Sequence, residues 1–237
     1  SSANRLSAGG RAVASLWSDR FRGAALGARW QWVRPRGEGG WATGADGIVL
    51  PTEKGDLHQD TNNASLLTTA LPRTGNVRIE ARLQLDAPDG CCADPVQAGL
   101  VVMKDDDHYV KLVELAHDGL RQVEFAKETT PAQPGYPRYG NTVVGTPGTW
   151  TWLRLDIQRN GGEERYTAWS SQDGIDWTKG GTWTHQLGHN ARLALVAMGG
   201  TGHHATFDSI TVSRFTSVNK TRAHKNSPHK NSPNKNR

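Results

Sequence analysis

The chain is poor in cysteine, in long apolar runs and in helical periodicity, and each shortage excludes something. Its 237 residues hold two cysteines, Cys91 and Cys92, side by side. Two residues cannot make a disulfide framework, and neighbouring Cα atoms lie about 3.8 Å apart, short of the usual bridged span. Two loop thiols are therefore expected, with a strained vicinal bridge as the alternative. A zinc site needs more ligands than this segment supplies. No apolar run approaches the ~20 residues that a membrane-spanning helix needs, so no membrane partner is expected. No leader pattern is visible, and Ser1 rather than Met opens the chain, which is expected if an upstream segment was removed or left out.

The basic excess is also smaller than it looks. The formal charge is +5, but residues 216–237 carry Lys220, Arg222, Lys225, Lys230, Lys235 and Arg237 with no acid. Removing those six leaves 22 Lys and Arg against 23 Asp and Glu. A near-neutral body excludes a basic nucleic-acid face, so no specific nucleic-acid partner is expected. The tail repeats HKNSP at 224–228 and 229–233 and has almost nothing apolar to bury. It is expected to be disordered and to bind polyanions weakly.

What is present is β-pattern. Gln97 to Lys127 reads as three consecutive strands, roughly 97–104, 108–115 and 120–127. Asp105-Asp106-Asp107 makes the first turn and Asp118-Gly119 the second, because an Asp-Gly pair supplies the positive φ of a tight hairpin. A two-residue turn there sets Val113 opposite Glu124, Leu112 opposite Phe125 and Lys111 opposite Ala126. Alternation then puts Val110, Leu112, Val123 and Phe125 on a core face. Tyr109, Lys111, Val113, Gln122 and Glu124 fall on the other face, which is expected to be exposed.

Elsewhere, residues 76–85 alternate with Val77, Ile79, Ala81, Leu83 and Leu85 inward, and 150–158 with Thr151, Leu153, Leu155 and Ile157 inward. Residues 129–148, with four prolines and four glycines, are expected to be a surface loop that adds nothing to the sheet. About a dozen short strands imply a single antiparallel β-sandwich over residues 16–215. Residues 1–15 are expected to be a linker or frayed start, and a monomer is expected.

Several segments together resemble one family, the concanavalin A-like (jelly-roll) domain at the C-terminus of family 43 β-xylosidases and related bacterial carbohydrate-active proteins. They are Asp19-x-Phe21 with Leu26-x-x-x-Trp30-x-Trp32, and Gly55-Asp56-Leu57 with Asn62-Asn63-Ala64 and Leu66-Leu67. They continue with Ala98-Gly99-Leu100-Val101, Tyr109-Val110-Lys111-Leu112, Ser171-x-Asp173-Gly174-x-x-Trp177 and Phe207-Asp208. In those xylosidases a five-bladed propeller carries the catalytic carboxylates, and these residues contain none. The resemblance thus implies a non-catalytic carbohydrate-binding or accessory module, secreted, with a polysaccharide or oligosaccharide as partner. The alternatives are hydrolysis by the sandwich itself and a purely structural spacer. Jelly-roll glucanases share an E-x-D-x-E strand, which is missing here, and the Asp105–Asp107 cluster reads as a turn.

Sugars present hydroxyls beside weakly apolar C–H faces, so a receptor needs rings beside amides and charges. Tyr109, Lys111, Gln122 and Glu124 offer that mix, with His58, Asn62 and Asn63 as candidate rim residues. Most of the nine tryptophans are expected to pack. Trp152, outward by alternation, and Trp32, near a loop, are the candidates for stacking. No cofactor is expected apart from a structural calcium between Asp19 and Asp208, on first and last strands that should pair. His203-His204 has no third ligand in reach and is expected to be loop.

Overall fold

A computed structural model describes residues 10–37 and 40–217. The expected tail lies outside them beyond Ser217, as does most of the expected N-terminal linker. The strands begin with β1 (Arg11–Asp19), β2 (Gln31–Val33), β3 (Ala42–Gly44), β4 (Gly47–Pro51), β5 (Leu57–His58) and β6 (Thr61–Asn62). Then come β7 (Leu66–Ala70), β8 (Val77–Leu85), β9 (Val96–Asp105), β10 (His108–His117), β11 (Leu120–Thr129) and β12 (Tyr139–Val143). The last are β13 (Thr151–Asn160), β14 (Glu163–Ser171), β15 (Thr178–Thr184), β16 (Arg192–Met198) and β17 (His204–Thr216).

Among the described residues all pairings are antiparallel, and they form two large sheets and a separate two-stranded β5–β6 ribbon. The first runs β15-β14-β13-β8-β17-β4-β3, with β1 on the same edge of β17 as β4; the second runs β12-β11-β10-β9-β16-β7-β2. The fold is an all-β concanavalin A-like sandwich. The inward alternation of β8 and β13 builds one half of the core, and Val110, Leu112, Val123 and Phe125 belong to the other. The expected hairpin register holds at each named pair. Asp118 and Gly119 have φ of 49° and 80°, the positive pair that a type I′ turn requires.

Three expectations need correcting. Residues 11–15 are not linker but the start of β1, paired to β17 through two register shifts. Its residues are mostly exposed, so no apolar alternation marks it. The 129–148 loop does extend a sheet: β12 pairs with β11 from Glu124 to Glu128. An edge strand with one outer flank in solvent needs no apolar period, so the prolines and glycines around it masked it. Finally, Cys91 and Cys92 are joined by a disulfide. Their segment is pinned by the hairpin tip, whose Asp118 and Gly119 N–H groups donate to the Cys92 and Cys91 carbonyls at 2.8 and 3.0 Å.

His185 ties the edges together just after β15. Its Nε2–H donates to the Glu128 carbonyl at 2.8 Å, and its Nδ1 accepts from Gln186 N at 3.1 Å. This neutral tautomer is favoured by burial, which pushes the pKa down to about 4 against the pull of the Glu128 carbonyl, with Lys127 and His108 adding repulsion. The unfolded chain takes up this proton near 6.5 and the folded one only near 4, so stability present above pH 6.5 should be lost as pH falls through that window. Urea titrations at several pH values should show it. A His185→Gln variant with an unchanged slope between pH 6.5 and 4 would remove His185 as the cause.

Candidate functional site

The second sheet does not leave its outer face open. Residues 52–65 fold back across it and bring Leu57 and Ala64 onto Val101, Tyr109, Val113, Ala194 and Val196 as a second apolar cluster. Such double coverage explains why β9 is buried without a break from Val96 to Met103 and does not alternate. It also corrects the expected exposure of this face. Tyr109 is fully buried, its one hydroxyl proton donated to the Leu57 carbonyl at 3.0 Å with Glu128 Oε1 as the alternative acceptor at 3.4 Å. Tyr109 is thus a support for the covering loop and offers nothing to a ligand.

Beside that cover the face stays open as a cleft of about 220 Å³ lined by Asp56, His58, Pro95, Gln97, Lys111, Leu115, His117, Glu124, Tyr139 and Asn141. Lys111 forms its floor at 1% exposure, its Nζ donating to the Leu57 carbonyl at 3.2 Å. Burial pulls its ammonium below the ordinary lysine value, while Asp56, Glu124 and Glu128 oppose that pull. Glu124 is held by Asn141 Nδ2 at 2.9 Å and the Tyr139 hydroxyl at 3.3 Å. Burial and then the Glu124 charge raise the Tyr139 pKa, so this hydroxyl stays a donor. The His58 ring meets the Tyr139 ring edge-on at 4.5 Å. Burial and Lys111 push the His58 pKa down, which keeps the imidazole neutral.

The expected site residues therefore separate. Lys111, Glu124 and His58 come together in the cleft. Gln122 lies next to it, its Nε2 3.5 Å from Glu124 Oε2. Asn62 donates to Asp107 Oδ1 at 3.2 Å, and Asn63 Oδ1 accepts from Asp56 N at 3.0 Å, so each amide makes a contact of the covering loop, and neither lines the cleft. Trp32 packs against the core with its ring 5.8 Å from Trp41. Trp152 lies on the opposite sheet under Arg82. Neither reaches the cleft.

The calcium expectation also changes. Asp19 and Asp208 do lie on paired strands, but Asp19 accepts from Trp30 Nε1 and Phe21 N, both at 2.8 Å. The β17 register shift aims Asp208 at Arg22 and Arg82, with Arg20 at 3.9 Å. Three guanidinium groups already neutralise that carboxylate, and they would repel a cation.

Sequence reasoning missed Asp56, Gln97, His117, Tyr139 and Asn141. For the last two the signal was Tyr139-x-Asn141, whose spacing puts both side chains on one face of a strand. Gln97 and His117 had one as well, since alternation and register put both on the Lys111 face of the meander; Asp56 is brought there by the chain path alone.

A family model described as the beta xylosidase C-terminal concanavalin A-like domain matches residues 18–213. No curated protein sequence matches the chain. Among solved structures, the GH43B protein of a Bacteroides ovatus xyloglucan locus is 18% identical with a TM-score of 0.62. The match covers 84% of this chain and 39% of that one. A bifunctional GH43-CE protein of Bacteroides eggerthii aligns at 17% identity and TM-score 0.67, over 84% of this chain and 26% of that one. A legume lectin-like domain from Entamoeba histolytica aligns at 10% identity and TM-score 0.58, over 87% of this chain and all of that one. The chain thus spans about two fifths or less of the GH43 proteins it resembles and the full length of a lectin-like domain. It belongs to the family of beta xylosidase C-terminal concanavalin A-like domains.

Proposed function

We propose that this domain is a non-catalytic carbohydrate-binding accessory module, and that it holds one sugar unit or chain end in the Lys111–Glu124–Tyr139 cleft. The observation that carries this reading is the cleft's composition. A buried ammonium and a buried carboxylate stand beside an aromatic ring and two amides, Gln97 and Asn141. Each sugar hydroxyl both donates and accepts, so Glu124 and Lys111 can take neighbouring hydroxyls through charge-assisted bonds. The strands hold these groups in place, so little ordering entropy is lost on binding. At about 220 Å³ the cleft is smaller than pockets for drug-sized ligands, which favours a short epitope over a long chain. Asp56 and Glu124 both line it, so a neutral glycan is preferred over a uronate-rich one.

Affinity should be modest, with a Kd of roughly 10 µM to 1 mM, about 4 to 7 kcal/mol. The test is affinity electrophoresis and calorimetry on xylan, arabinan, mixed β-glucan and polygalacturonate. Tyr139→Ala and Lys111→Met should each weaken binding at least about tenfold, roughly 1.4 kcal/mol. Binding that survives both changes in folded protein would move the site off this cleft. Absence of binding to every glycan would favour the spacer reading. Turnover that releases reducing ends and is abolished by a single Asp56 or Glu124 substitution would favour a hydrolase.

A further inference from the structure

The chain brings a third ligand to its two cysteines from more than a hundred residues away. The ring Nε2 of His203 lies 3.5 Å from Cys91 Sγ and 3.6 Å from Cys92 Sγ. The ligand atoms of all three fall within 4.8 Å of one another, the one such group of three found among the described residues. We propose that Cys91, Cys92 and His203 form a redox-gated zinc site, closed while the cysteines are bridged and able to take Zn²⁺ once they are reduced.

The two nitrogen–sulfur distances fit the ion, and reduction frees the bonded sulfurs to separate to the roughly 3.8 Å that two thiolates on one tetrahedral zinc need. Zinc takes thiolate sulfur at about 2.3 Å and imidazole nitrogen at about 2.0–2.1 Å, and tetrahedral angles then set sulfur and nitrogen about 3.6 Å apart. That is the spacing already present between His203 and each sulfur. His203 is also placed in advance. Its backbone N–H donates to Thr52 Oγ1 at 3.1 Å, and its carbonyl accepts from Thr52 N at 2.8 Å. Its other ring nitrogen, Nδ1, lies 3.8 Å from Asp86 Oδ1. At 3.8 Å this is an electrostatic approach and not a hydrogen bond, and a small ring turn on metal binding would let Nδ1–H donate to the carboxylate while Nε2 faces the sulfurs, the arrangement of a metal-bound histidine. Asp86 is fixed in turn by His204, whose N–H donates to Asp86 Oδ1 at 2.6 Å. The cysteine loop is pinned from the hairpin tip, as described above. All three side chains are partly exposed, so reductant and metal can both reach them. The fourth position falls to water.

The balance is simple. Two molecules of a small thiol, RSH, reduce the bridge to Cys91–SH and Cys92–SH and leave as RS–SR, a two-electron exchange. Zn²⁺ then displaces the two thiol protons, which pass to solvent, and a disulfide oxidant reverses the sequence with loss of the metal.

The test uses the full chain with Co²⁺ as a coloured stand-in for Zn²⁺, before and after reduction by a phosphine. The reduced protein should take up one equivalent with a sulfur-to-cobalt charge-transfer band, release two protons, and lose the band to added Zn²⁺. The oxidised protein should show none of this. His203→Ala should weaken binding at least about tenfold and Cys92→Ser should abolish the two-thiolate spectrum, with circular dichroism confirming that each variant keeps its strands. Asp86→Asn should weaken binding about tenfold without changing the band, the effect of a group that orients a ligand. Equal Co²⁺ uptake by oxidised and reduced protein would overturn the proposal. So would failure of the reduced protein to bind, or affinity that ignores His203→Ala.

Discussion

Replacing Asp156 with alanine should destabilise the domain by about 3–5 kcal/mol, the cost of leaving one member of a buried ion pair uncompensated. The pair follows from register. β13 lies between β8 and β14, and Asp156 stands directly opposite Arg78. Its two carboxylate oxygens accept from Arg78 Nε at 2.7 Å and Nη2 at 3.0 Å, a fork-to-fork geometry that a lysine could not reproduce. Alternation points both side chains out of the sandwich, yet their exposures are 1% and 4%. The ring of Phe215 lies 5.0 Å from the Arg78 guanidinium, and Arg78 Nη1 donates to the Gly10 carbonyl at 3.2 Å. Gly10, just before β1, and Phe215 near the end of β17 thus help seal the pair from water. For a domain of this size the loss corresponds to a melting shift of roughly 10 °C. Two comparisons check the cause. Breaking the exposed Arg165–Glu163 pair, at 57% and 45% exposure, should cost less than about 1 kcal/mol. Replacing both buried partners together, as Arg78→Met with Asp156→Leu, should restore much of the stability lost by Asp156→Ala. A double variant as unstable as the single one would mean that the pair matters for packing and not for charge.

Glu114→Gln should stabilise the protein, and more strongly as pH rises. Glu114 sits on β10 with its side chain 1% exposed, and neither carboxylate oxygen has a hydrogen-bond partner among the described residues. The Thr151 hydroxyl and Leu85 N–H lie nearby, and Arg121 approaches only to 3.9 Å while also facing Asp89 at 3.6 Å. Burial dominates these, and the Glu114 pKa rises to about 7. In the unfolded chain the same group ionises near its ordinary value of 4.5. Between those two values the folded state holds a proton that the unfolded state has released, so stability falls as pH rises and the full penalty is present above pH 7. Glutamine keeps the shape and never ionises. The stability gap between variant and parent should widen by about 2–3 kcal/mol between pH 5 and pH 8. Urea unfolding at those two pH values measures it. A gap that stays constant would show Glu114 ionised throughout as an ordinary partner of Arg121.

Glu114 also marks where local pattern stops being informative. Its strand alternates, and one face of it was legible as core from Val110 and Leu112 alone. Periodicity cannot say that an ionisable side chain inside that face lacks partners, because the partners would come from Leu85 and Thr151 on the other sheet. Lys111, on the opposite face, shows the same limit from the other side. Its register against Ala126 follows from the Asp118-Gly119 turn, since a two-residue turn leaves the hairpin no freedom to slip. Its burial depends on Leu57, more than fifty residues earlier in the chain.

The core strands, the hairpin register and the all-β sandwich were thus determined by the sequence alone, whereas the edge strands β1 and β12 were not. Side-chain alternation and turn chemistry act between near neighbours, where chain order is already spatial order. The tertiary structure decided what lies against each face. It laid residues 52–65 over the second sheet, which turned an expected open surface into a cleft and made Tyr109 a buried prop. It docked Tyr139 and Asn141 beside Glu124 through an edge strand with no apolar period of its own. It carried His203 to Cys91 and Cys92, and it gave Asp208 to arginines where a cation was expected. Each of these is a contact between segments far apart in sequence, set by how two sheets and their covering loops close on one core. A strand's period states which way a side chain points, and only the closed fold supplies what it meets.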